Sequence, residues 1–285
     1  MSDGPAPGRK LIDTKHRIVW YIAALFSLLL YFSGFVPLYI FLRRKILKRN
    51  IAVALTYHRI NDNNETPDIM VSTKNFERQM AYLKKYFDIV PIDEIVNICI
   101  NNKRLRRDTA AVTFDDGYKD NFTDAYPILK KYNVPALIFV AITYINESNK
   151  LSSDEIKAVQ KGHITFGAHT ITHKALAALD RESAFLEVSG SKSYLEQILQ
   201  EEVKYFAYPY GKRGRDFTDE TMQIVKDAGY KAAFATDNGF INGASNLFAL
   251  NRIGVRNFPL FVFKCRISGI FENRLFYWLR RYLKI

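Results

Sequence analysis

Short apolar runs alternate with segments of helical period through most of this chain, and that alternation confines it to folds assembled from parallel strand–helix units. Apolar runs start near residues 51, 109, 164, 205 and 249, with Ala136 to Ala141 and Lys231 to Ala235 adding two more. Between them, Phe76, Met80, Leu83 and Phe87 repeat at the spacing that lines one face of a helix. About seven strands therefore alternate with helices, the pattern of an α/β barrel, and roughly 200 residues suit one such domain. Local signals agree. Ser152-Ser153-Asp154-Glu155 places a hydroxyl and a carboxylate at capping-box spacing before Ile156, and Gly162 and Gly229 stand where helices should stop. No internal repeat or low-complexity linker interrupts the pattern.

The chemistry concentrates at the end of one of these runs. Ala110, Ala111, Val112 and Phe114 read as a buried parallel strand that opens into a loop at Gly117, which puts Asp115 and Asp116 side by side at the strand end. Two carboxylates ionised together in a site that excludes water repel, and one must take up a proton unless a cation neutralises the pair. His169-Thr170-Ile171-Thr172-His173 supplies a His-x-x-x-His pair just after the short strand Ile164 to Ala168. Two imidazoles and a carboxylate suit zinc, with cobalt, nickel or iron allowed by the affinity order, and leave a coordination position open for water. Either motif alone has a plain structural reading, as acidic turn residues at a strand end or as histidines paving a loop. Jointly they point to a metal-dependent hydrolase. A zinc protease of the His-Glu-x-x-His type does not fit, because Thr170 stands where the glutamate base belongs and the pair follows a strand. The base must come from elsewhere, and Asp115 is the candidate.

These residues carry a resemblance. The chain is similar to the polysaccharide deacetylases, carbohydrate esterase family 4, the chitooligosaccharide-deacetylase homology domain, over roughly residues 51 to 257. The family's first motif, Thr-Phe-Asp-Asp-Gly, stands unchanged at Thr113 to Gly117, and its second, His-Ser/Thr-x-x-His, at His169 to His173. The resemblance implies a deformed (β/α)7 barrel that removes acetyl groups from N-acetylated sugars, with Asp115 as general base and Asp116, His169 and His173 holding the metal. The third motif, Arg-x-Pro-Tyr/Phe, is altered. In Phe206-Ala207-Tyr208-Pro209-Tyr210-Gly211, Ala207 replaces the arginine that orients the base in the family, and Arg252, in Leu250-Asn251-Arg252-Ile253, is the replacement candidate. Pro209 and Tyr210 remain, and the resemblance makes the Tyr210 backbone N–H an oxyanion donor, a kind of contact worth about 3 to 4 kcal/mol in a transition state. Tyr208 reads as barrel packing. The last motif, a Leu-x-His near the C-terminus that supplies the general acid, is missing, since no histidine follows His173. A leaving amine needs a proton as the tetrahedral intermediate collapses, and of His16, His58 and His163 the best placed is His58. It ends the apolar strand from Ile51 to Tyr57, and Leu55-Thr56-Tyr57-His58-Arg59-Ile60 resembles the permuted branch typified by poly-N-acetylglucosamine deacetylases, in which the acid-bearing strand opens the domain.

Outside this domain, 51–257, the composition changes. Ile18 to Leu42 runs for 25 residues without a charge, long enough for a bilayer core and lacking a small-residue cleavage site. Residues 18–42 are therefore read as an uncleaved transmembrane or re-entrant segment after a short polar tail, 1–17. A basic linker, 43–50, carries Arg43, Arg44, Lys45, Lys48 and Arg49. By the positive-inside rule they keep the catalytic side cytoplasmic, whereas the family's usual substrates argue for the other face. A break at Ser33-Gly34 or Pro37 would give a re-entrant hairpin with both flanks on one side. Residues 258–285 mix large apolar with basic side chains, as interfacial helices do. The formal net charge of +12, gathered partly at these flanks, favours anionic lipid headgroups over nucleic acid. Cys99 and Cys265 are too few and too far apart for a disulfide framework. The expectation is a membrane-associated, metal-dependent N-deacetylase of an amino-sugar glycan, either lipid-linked or part of a cell envelope. The alternatives are an O-deacetylase, a deformylase, or a glycan-binding scaffold that kept the metal and lost the altered motifs.

Overall fold

The chain's two ends, up to Arg49 and from Pro259, form one unit of a computed structural model, and Asn50–Phe258 form a second. The structure describes residues 25–63, 66, 68–160 and 162–272. The expected polar tail with His16, the start of the apolar segment and the chain beyond 272 lie outside them. In the first unit α1 (Leu25–Phe32) and α2 (Phe35–Phe41), the latter continued by a π-helical turn (Leu42–Ile46), meet at a 64° bend. The break falls at Ser33-Gly34, where Gly34 adopts φ 81°, a left-handed conformation that costs glycine little. Among the described residues no single helix is long and apolar enough to cross a membrane.

The second unit begins with β1 (Ala52–Tyr57), all six residues buried, as befits a strand covered on both faces. Two-residue strands β2 (Arg59–Ile60) and β3 (Met70–Val71) pair as a separate ribbon. There follow α3 (Thr73–Tyr86), β4 (Asp88–Ile89), α4 (Ile92–Ile100), β5 (Thr109–Phe114), α5 (Tyr126–Tyr132), β6 (Ala136–Val140), α6 (Ser153–Gln160) and β7 (Ile164–Ala168). The order continues with α7 (Arg181–Leu199), β8 (Tyr205–Ala207), α8 (Asp219–Asp227), β9 (Ala232–Phe234) and β10 (Ile253–Gly254). Strands of the main sheet are all parallel, in the order β10-β1-β5-β6-β7-β8-β9, and β4 pairs with the start of β5. Phe234 bridges Leu250, so the β9 edge is tied to the segment that runs into β10 and the sheet curls towards closure. This is the deformed (β/α)7 barrel anticipated from the sequence. One strand is displaced: the run at 249 yields only the Leu250 bridge to Phe234, and pairing with β1 starts at Ile253, next to the buried Arg252.

Helix boundaries follow local chemistry. Ser152 Oγ accepts the Glu155 N–H at 3.2 Å while Glu155 Oε2 accepts the Ser152 N–H at 2.9 Å, a reciprocal cap that satisfies two otherwise orphaned donors of α6. Gly229, φ 81°, follows α8, and His163 sits in the turn before β7. Helix α3 buries Phe76, Met80 and Leu83, each worth about 1.5 to 3 kcal/mol of transfer from water. Back in the first unit, α9 (Leu260–Arg266) contributes Cys265 to a small core with Val36, Ile270 and Phe271.

Candidate active site

Parallel strands deliver their carboxyl ends to one rim, and there the barrel gathers His58 after β1, Asp115 and Asp116 after β5, His169 after β7 and Tyr210 after β8. The β1–β5 register opposes Tyr57 to Phe114, and the Asp115 N–H donates to Tyr57 O at 3.0 Å, so His58 and Asp115 leave adjacent strands together. Arg252 comes from the segment ahead of β10. Its Nη1 donates to Asp115 Oδ1 at 2.7 Å and its Nη2 to Oδ2 at 2.8 Å, the two-pronged fit of guanidinium to carboxylate. Nε donates to Ala235 O at 2.9 Å, Nη1 also reaches Thr113 Oγ1 at 3.1 Å, and the side chain is 0% exposed. Burial alone would raise the Asp115 carboxyl; the charges of Arg252, His169 and His58 outweigh it and hold the group below the ordinary carboxylate range.

Asp116 sits at φ 69°, a left-handed conformation uncommon for residues with a Cβ though better tolerated by aspartate than by most, and its surroundings enforce it here. Lys150 is part of that enforcement. Its Nζ donates to the Asp116 carbonyl at 3.1 Å and lies over the rings of Tyr118 and Tyr144, 3.5 and 4.1 Å from their centroids. Burial pushes its ammonium down to about 8.

The segment from His169 to His173 is a loop held by two devices. His173 N–H donates to Thr170 Oγ1 at 2.9 Å, and Glu187 of α7 accepts the N–H groups of Ile171 and Thr172, both at 2.8 Å. Thr170 (φ 68°) and His173 (φ 58°) are both left-handed, so of the nine non-glycine positive-φ residues described, these two, Asp116 and Tyr210 cluster at this rim. His169 Nδ1 lies 2.7 Å from Ala207 O, which fixes a proton on Nδ1 and leaves Nε2 as the lone-pair nitrogen. Burial is the main reason its pKa falls to about 4, only partly opposed by Asp115 and Asp116, so the ring is neutral at neutral pH, the form that ligates metals.

Asp116 Oδ1 lies 3.1 Å from His173 Nε2 and 3.5 Å from His169 Nε2. It is buried and accepts no well-directed hydrogen bond. Ligand atoms of Asp116, His169 and His173 all fall within 4.8 Å of one another. Burial by itself would lift the Asp116 carboxyl, but His173 against it, with His169 and His58 nearby, pulls it well below the ordinary range. An ionised, orphaned oxygen facing two imidazole nitrogens, one of them fixed as a lone pair, is a donor set that fits a divalent cation.

Tyr210, φ 60°, follows the strand end at Ala207. Its ring stands edge-on to His173 at 5.1 Å and is 58% exposed, and its N–H donates to no described residue. Tyr208 is core, stacked on Phe217 at 3.9 Å. His58 is half-buried; it is close enough for its charge to bear on both carboxylates. Sequence reasoning overlooked Lys150, Glu187 and the Ala207 carbonyl. A lysine in a loop, a glutamate on an exposed helix and a main-chain oxygen carry no motif, and only the fold brings them in.

Comparison with known proteins gives the same picture. Residues 102–233 match the family model for polysaccharide deacetylase. YxkH of Bacillus subtilis, named for a polysaccharide deacetylase, is 30% identical over 203 residues, 70% of each chain. A Staphylococcus aureus poly-beta-1,6-N-acetyl-D-glucosamine N-deacetylase is 27% identical over 72% of this chain and 79% of its own length. Among solved structures, the Streptococcus pyogenes deacetylase PplD in complex with acetate superposes with a TM-score of 0.67 at 28% identity, covering 73% of this chain and 93% of that one.

Proposed function

The chain belongs to the polysaccharide deacetylase family, and from that premise we propose that it is a metal-dependent hydrolase removing N-acetyl groups from an amino-sugar polymer. The observation that carries this is the orphaned Asp116 oxygen between His169 and His173, beside a second carboxylate that Arg252 keeps ionised. Asp116, His169 and His173 would hold the cation, zinc by ligand type, with cobalt, nickel or iron as alternatives. When bound, it polarises the acetyl carbonyl and makes water acidic enough for a weak base to deprotonate. Asp115 is that base: ionised at neutral pH and fixed in direction, it takes the proton from the attacking water. Arg252 positions Asp115 and touches no reacting atom. The Tyr210 N–H donates to the carbonyl oxygen as negative charge grows there. His58 gives the amine its proton as the C–N bond breaks, in place of the histidine that the usual last motif would supply.

The Staphylococcus aureus relative makes β-1,6-linked N-acetylglucosamine oligomers the first substrates to try. Purified protein with zinc or cobalt should release acetate from them, with Asp115→Asn lowering the rate by about 10³-fold or more and His58→Ala by about 10²- to 10⁴-fold. No acetate from any N-acetylated glycan, or full activity in Asp115→Asn, overturns the assignment; release only from O-acetylated glycans makes it an esterase. The apolar N-terminal segment supports a narrower reading, a glycan held at a lipid surface. Equal turnover of soluble and lipid-linked saccharide counts against it.

A further inference from the structure

Among its described residues the first unit bears an exposed apolar surface. Of sixteen large apolar side chains exposed among the described residues, ten lie between Leu25 and Leu47, Phe32 at 70% and Ile46 at 63% among them. That is a patch, where single exposed hydrophobes elsewhere need no explanation. Its opposite side is covered by the other end of the chain. Phe261 reaches the edge of the patch, 5.9 Å from Phe32 between ring centroids, while behind it Lys264 Nζ donates to Tyr31 Oη at 2.8 Å and Tyr39 Oη donates to Gly269 O at 3.0 Å. The two ends of the chain thus fold into one body, with α9 backing the bent pair α1 and α2.

Charge says what covers the patch. No acidic residue occurs between Asp13 and Asp62, while Arg43, Arg44, Lys45, Lys48 and Arg49 follow the apolar stretch and Arg9, Lys10, Lys15 and Arg17 precede it. From 258 onward the single acid is Glu272, against Lys264, Arg266, Arg274, Arg280, Arg281 and Lys284. Basic residues gather at anionic headgroups, and their presence on both flanks favours a single membrane face for both. The 64° bend at Ser33-Gly34 breaks the described apolar helices, and α2 with its π-helical turn, about 18 Å long, falls short of a hydrocarbon core of about 30 Å. Lys264, lying along α1, would be costly at the centre of a span but can reach headgroups from a shallow position.

We propose that the two chain ends form one monotopic docking unit for an anionic lipid surface: α1 and α2 sink into a single leaflet, α9 braces them, and the basic residues meet the lipid phosphates without the chain crossing. The proposal is independent of the reaction assigned to the second unit. Its test uses the full chain added to preformed vesicles, of phosphatidylcholine alone or with one quarter phosphatidylglycerol, and read by co-flotation. The anionic vesicles should bind about tenfold or more tightly than the neutral ones, and salt should weaken that binding. The triple variant Phe32→Ser, Leu38→Ser, Phe41→Ser should lose binding about tenfold or more while the thermal transition of the second unit stays in place; Phe261→Ser should weaken binding as well. An impermeant maleimide should label Ser2→Cys and Lys103→Cys equally from outside sealed vesicles. Equal affinity for neutral vesicles, or protection of Ser2→Cys, overturns the proposal. So does a chain that ignores vesicles but changes from dimer to monomer in the triple variant, a result that would assign the patch to a second copy.

Discussion

Arg252 decides the electrostatics of this site at the level of single residues. It is fully buried and shares two hydrogen bonds with Asp115, so removing it strands a buried carboxylate. Arg252→Met should destabilise the protein by about 3 to 5 kcal/mol in urea unfolding. The folded Asp115 titrates below its ordinary value of 3.8, so the pair's stabilisation is present above that pH and lost as pH falls through the folded value. The variant loses the pairing at every pH, and the acid limb of its residual pH–rate profile should move upward as Asp115 becomes easier to protonate. His169 gives a second readout of the same sign, at higher pH, in metal-free protein. Its pKa drops from 6.5 to about 4 on folding, so the unfolded chain binds the extra proton between those values, and stability should fall as pH drops through that window, by on the order of 3 kcal/mol. Thermal unfolding in chelator between pH 7 and 4 checks this; a curve as steep in His169→Asn as in the wild type would remove His169 as the cause. Arg252 was legible only by elimination, once Ala207 was seen to stand where an arginine belongs, because nothing in its own neighbours announces a charge turned into the core.

Elements were legible where both faces of a strand are buried, since β6 then reads as an unbroken apolar run and β1 and β5 as apolar runs broken only by threonine. The two-residue strands β2, β3 and β4 left no periodic trace, and the apolar run at 249 does not mark where β10 pairs, which begins at Ile253. The loops between elements carry the chemistry and the strain. At Gly211 (φ 68°) an added Cβ would lie 2.9 Å from Thr236 N and 3.1 Å from Tyr208 O. Gly211→Ala should therefore cost about 1 to 2 kcal/mol or more and displace the Tyr210 N–H, lowering kcat with little change in KM. Matching kinetics in variant and wild type would mean that the loop does not place a reacting group. Ser152→Ala should lose about 1 kcal/mol from the α6 cap in urea unfolding.

On the scale of the whole molecule, the barrel works as a frame that brings residues separated by more than fifty positions to one point, Asp116 with His169 and His173, while His58 and Arg252 arrive from opposite ends of the second unit. Spacing in the sequence suggested that convergence, but only the curl of the sheet produces it. Ligation should feed back on the fold, because an ion that binds only the native state at 100 times its dissociation constant adds about 2.7 kcal/mol to stability. Titrating zinc calorimetrically into chelator-treated protein tests the convergence most directly. One ion should bind per chain in the wild type and in Asp115→Asn, and binding should be lost in Asp116→Asn and His173→Ala. Undiminished binding in those last two variants, or none in the wild type, would contradict a cation site at this rim.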